Sequence, residues 1–98
     1  MRRFFVTPES AIRRPVLASH ARYRWDTVRC EHQIVYAEGV LVLNETAAVI
    51  VQQCDGQSME NLILAVQGRF EGDVVVDDVH VFLRRLSEKG LLHDAAVP

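Results

Sequence analysis

The residues of this 98-residue chain best suited to chemistry are four histidines and two cysteines, and their spacing argues against chemistry. His20, His32, His80 and His93 form no H-x-x-x-H or H-x-x-H pair, and neither Cys30 nor Cys54 belongs to a C-x-x-C, so no metal site is expected. Cys54 falls on an apolar helical stripe and reads as a buried thiol, while Cys30 sits in an Arg29-Cys30-Glu31 turn. The adjacent carboxylates Asp77 and Asp78 stand at a predicted helix start, where they read as caps rather than as an acid–base pair. No G-x-G-x-x-G or G-x-x-x-x-G-K-[ST] is present to cradle a phosphate. No catalytic residue, no metal and no cofactor is therefore assigned, and the chain reads as a non-enzyme.

The bulk composition is that of one ordinary globular domain, with 49% apolar and 24% charged residues. No apolar run reaches the ~20 residues that span a bilayer. The opening Met1-Arg2-Arg3-Phe4-Phe5-Val6 is cut short by Thr7-Pro8, which is no export signal, so a cytoplasmic location is expected. The net charge of −2 is unevenly spread. Residues 1–29 carry seven Arg against Glu9 and Asp26, whereas the remainder holds four cations against eleven acids. An acidic body repels nucleic acid, which weighs against a winged-helix DNA-binding protein and predicts no nucleic-acid partner.

Any function must then come from the elements that shape the surface. Residues 1–15, with Pro8 and Pro15 and no sustained period, read as a flexible basic arm. Tyr23–Val28 alternates, Gln33–Tyr36 is rich in β-formers, and Ala37-Glu38-Gly39 is a turn leading into Val40–Leu43. These are three strands, antiparallel because their connections are short. The period then becomes helical. Asn44 caps a helix over 45–54, Ser58 a second carrying Met59, Leu62, Ile63, Val66 and Phe70, and Asp77 or Asp78 a third with Val79, Phe82, Leu83 and Leu86 inward. Gly90 suits the left-handed position after that helix, with Leu91 folding back on Leu86. Residues 93–98 read as a frayed end. The expected fold is α+β: a winged-helix-like domain over 16–92, with a three-stranded antiparallel sheet followed by three helices.

Four stretches together resemble the PqqD family of pyrroloquinoline quinone (PQQ) biosynthesis. They are Arg14-Pro15-Val16-Leu17, Tyr23 through Arg29, Glu38-Gly39-Val40 through Leu43-Asn44-x-x-Ala47 then Ile50 and Cys54-Asp55-Gly56, and Asp78-Val79-x-x-Phe82-Leu83-x-x-Leu86-x-x-Lys89-Gly90-Leu91. Ala37 and Cys30 depart from that pattern, where Pro and Gly are common.

The resemblance implies a non-catalytic peptide chaperone, a RiPP recognition element that binds a PqqA-like precursor peptide and presents it to a radical S-adenosylmethionine enzyme. The alternative is the same role in another peptide-modifying pathway. By that analogy the strand Val40, Leu41, Val42, Leu43 is an open edge that accepts the peptide backbone, with Leu41 contributing a donor. Val81, Arg84 and Arg85 on the third helix complete the expected site, an apolar residue amid cations that would suit an apolar and acidic peptide. Such an edge also leaves open a homodimer, by edge pairing or by strand swapping.

Overall fold

The computed structural model describes residues 12–97. Its elements run β1 (Pro15–Leu17), β2 (Arg22–Asp26), β3 (Glu31–Tyr36), β4 (Gly39–Leu43), α1 (Glu45–Gln52), α2 (Met59–Arg69), α3 (Val76–Glu88) and β5 (Leu92–Asp94). The expected three-stranded antiparallel sheet is present in the order β2-β3-β4, with three helices after it. Alternation decides its faces. Ile34, Leu41 and Leu43 turn inward onto α1, and Ile34 is fully buried. Val40 and Val42 point to the other face, where they are 49% and 58% exposed.

The β2–β3 turn begins earlier than the apolar pattern indicates, since β2 stops at Asp26 and Val28 is exposed. Asp26 forms the turn by accepting from the backbone amides of Val28 at 2.9 Å and Arg29 at 3.2 Å. These amides, that of Arg29 foremost, hold its carboxyl below the usual carboxylate range. Cys30 closes the turn with φ of 54°, a left-handed conformation that glycine adopts more cheaply. On the inner side of the hairpin, Trp25 packs edge-on against His32 at 4.8 Å, and the Tyr23 hydroxyl lies 2.7 Å from His32 Nδ1. Trp25 remains 46% exposed, so it belongs to the sheet face and not to the core.

Two of the helix caps are as expected. Asn44 accepts from the Ala47 amide at 2.7 Å, and Ser58 from the Asn61 amide at 3.1 Å. The third is not: α3 starts at Val76, and its N-cap Val75 makes no side-chain bond. Asp77 and Asp78 instead occupy the first turn, where their charge favours the helix dipole without capping a donor. At the other end, Gly90 at φ 76° allows a Schellman closure, with Gly90 N–H donating to Ser87 O at 3.0 Å and Leu91 N–H to Leu86 O at 2.9 Å. Both leucines are buried there. Cys54 lies just beyond α1, donating to Ile50 O at 3.3 Å, and burial, with Asp55 adding to it, pushes its thiol up to about 12. It is therefore protonated at neutral pH.

The ends of the domain differ most from expectation. Pro15 is buried, not part of a loose arm, and β1 pairs antiparallel with β5, Pro15 opposite Asp94 and Leu17 opposite Leu92. His93 and Asp94 are thus in a strand, not a frayed tail. Strands of three residues carry too little period to be read, and the partners lie at opposite ends of the chain. Residues 1–11 of the expected arm, and Pro98, lie outside the described residues.

Asp94 locks the two ends together. Its carboxylate accepts from the amides of Arg13 and Arg14, both at 2.9 Å, and of Ala96 at 3.0 Å. Burial pushes this carboxyl up, but the three amides outweigh it and hold the group below the usual range. A lowered folded-state pKa means the stabilisation is complete above about pH 4 and is lost as pH falls through the folded value. Asp94→Ala should accordingly cost about 1–2 kcal/mol at pH 7. In urea titrations the deficit should shrink as pH falls below about 4; a deficit independent of pH would refute the role of the ionised form.

Candidate functional site

Among the described residues the β4 strand is bonded to β3 on one side only. Gly39 and Tyr36 close a two-residue turn, and the register continues Val35 with Val40, Ile34 with Leu41, Gln33 with Val42 and His32 with Leu43. Antiparallel residues alternate between bonding their partner and facing away. With Tyr36 and Gly39 as a bonded pair, Leu41 and Leu43 bond inward to β3. Val40 and Val42 therefore present their N–H and C=O groups to the open side. The expectation that Leu41 supplies an edge donor is corrected by this register, because its amide serves the internal ladder.

A groove of about 360 Å³ opens beside the Leu43 end of this edge. Asn44, Thr46, Ala47 and Ile50 form one wall; Asp73, Val74 and Val75 close one end; and Asp78, Val79 and Phe82 of α3 form the other wall. The outer sheet face carries another hollow of about 340 Å³, lined in part by Arg24, Gln33, Val40 and Val42. A strand added to β4 would send alternate side chains to the two faces of the sheet, one of them the face that α1 covers.

The residues expected on α3 divide. Val81, Arg84 and Arg85 are all exposed, and none lines the groove. At 100° per residue Arg84 lies about 160° around the helix from Phe82, on the side facing away. Arg85, three residues beyond Phe82, continues the groove-side flank past the cavity. Phe82, expected to be inward, is only half-buried and forms part of the groove wall. The stripe Asp78, Phe82, Arg85 is readable from helical spacing alone, but which flank meets a cavity depends on where α1 lies. Asp73 carried no sequence signal for this role.

Among the described residues no group of three or more His, Cys, Asp or Glu is placed to hold a metal ion. No helix among them is long and apolar enough to cross a membrane.

Comparison with known proteins identifies the family. The family model described as Coenzyme PQQ synthesis protein D (PqqD) matches residues 31–92. A protein named "PqqA binding protein" from Azotobacter vinelandii strain DJ is 35% identical over 77 residues, covering 76% of this chain and 84% of the relative. One of the same name from Rhodopseudomonas palustris strain TIE-1 is 38% identical over 85 residues, covering 84% and 83%. The fold is shared with the solution structure of the PqqD truncation of Methylobacterium extorquens PqqCD, described as a stand-alone RiPP recognition element, at a TM-score of 0.70 and 22% identity over 89% of this chain and 99% of that one. With the family model spanning both the open strand and the helix across the groove, this chain belongs to the PqqD family.

Proposed function

We propose that the chain is a non-catalytic peptide chaperone of PQQ biosynthesis, which captures the ribosomal precursor peptide PqqA as an added strand on β4. It then presents that peptide to a radical S-adenosylmethionine enzyme. The observation that carries the reading is an edge left open among the described residues, at Val40 and Val42, next to a groove between α1 and α3. The names of the relatives, PqqA binding proteins, support the choice of client.

The expected strength follows from the geometry. Each net backbone bond at the edge contributes about 0.5–1.5 kcal/mol, and each apolar side chain buried in a groove about 1.5–3 kcal/mol. Ordering a flexible peptide takes several kcal/mol back, leaving about −8 kcal/mol, or micromolar affinity. That strength lets the carrier release its cargo to an enzyme. Titrating labelled chain with PqqA should shift the backbone amides of Val40 and Val42, together with those of Phe82 and Asp78. Saturation without any change along β4 would overturn the strand-addition reading. Sedimentation of the free chain tests the competing use of the same edge, pairing with a second copy.

A further inference from the structure

We infer that the peptide bound at this site carries a basic side chain beside an apolar one, at the point where it passes the Leu43 end of β4. The inference rests on the reading of β4 as the peptide edge. It runs against the client expected from Arg84 and Arg85, an acidic one, because Arg84 faces away and Arg85 lies past the cavity.

Asn44 directly follows β4 and lines the groove, so the cavity adjoins that end of the strand. Its apolar wall, Ile50 facing Phe82, suits one aliphatic or aromatic side chain. Its charge comes from two carboxylates on different elements, Asp73 on the loop before α3 and Asp78 in the first turn of α3. The described ion pair, Arg24 with Asp26 at 3.9 Å, lies on the β2–β3 hairpin. Among the described residues neither Asp73 nor Asp78 makes an ion pair within 4.0 Å. A Lys or Arg on the peptide would supply the cation, its aliphatic stem lying along the apolar wall and its charged head between the carboxylates. An acidic residue at the same place would meet two like charges.

The test uses three capped decapeptides identical except for one residue beside a Val-Leu pair, which is Lys, Gln or Glu. Their affinities for the full chain are measured by fluorescence anisotropy at about 20 mM and about 300 mM salt. The Lys peptide should bind about tenfold more tightly than the Glu peptide, with Gln between them, and the gap should narrow at high salt. In the Asp73→Asn/Asp78→Asn double variant the gap should fall to within about twofold. Asp73→Asn alone, in a loop where the helix start is undisturbed, should remove about half of it on a logarithmic scale. Equal affinities for the native chain, or a gap that survives the double variant, would overturn the charge preference. Failure of all three peptides while PqqA still shifts the β4 amides would overturn the preference alone; failure of PqqA as well would bring down the edge reading with it.

Discussion

Val42→Pro is expected to weaken PqqA binding about tenfold, or about 1.4 kcal/mol, in a chain that still folds. Proline removes one of the amide donors on the open side of β4 and sets a ring where the guest backbone would approach. Edge positions whose amide faces outward tolerate proline, and the Val42 side chain is 58% exposed, so little packing is lost. The informative control lies one residue earlier. Leu41 directs its amide to Ile34 and packs its side chain against the core, so Leu41→Pro should break the internal ladder and lower stability rather than select against the peptide. Circular dichroism and anisotropy on both variants separate the two effects. A folded Val42→Pro chain with native affinity would place the peptide elsewhere.

The largest expected effect on stability is at Leu91. Its side chain is fully buried beside Leu86, and its amide closes the Schellman motif that ends α3 and launches β5. Leu91→Ala should cost about 2–5 kcal/mol, from lost burial and from the cavity left behind. A domain of this size has about 5–15 kcal/mol in total, so the melting temperature should fall by 10 °C or more, on the order of several degrees per kcal/mol. An unfolding free energy from urea titration that changes by less than about 1 kcal/mol would show that the C-terminal end contributes little, and would undo the argument that β1 and β5 tie the domain together.

These two variants separate holding the fold from gripping the guest, and the division follows the alternation of β4. Leu41 and Leu43 belong to the core, while Val40 and Val42 are two exposed β-branched residues on one short strand. Single exposed valines are common on any surface. A pair of them, on a strand that no other described strand pairs on its outer edge, is what a partner strand would complete. The Asp94 clamp and the groove carboxylates are likewise separate, since the first bonds to backbone amides at the chain ends and the second pair faces an open cavity.

Local pattern was enough to identify much of this molecule. The change from alternation to helical spacing at Asn44, the caps at Asn44 and Ser58, and the Gly90-Leu91 ending are all decided by residues within a few positions of one another, where sterics and short-range hydrogen bonding act. The order of strands and helices, and so the fold class, followed from those signals, and the strand Val40–Leu43 was legible as a site candidate through a family motif. Long-range pairing was not legible. The β1–β5 ribbon joins three residues near one end to three near the other, and its lock is a single aspartate whose partners are backbone amides common to every residue. Likewise, helical spacing could order Asp78, Phe82 and Arg85 along one flank, but only the packing of α3 across from α1 made that flank the wall of a groove and left Arg84 outside it. Which amides of β4 face outward is also a property of its register against β3, because each residue's direction alternates with the pairing and not with its chemistry.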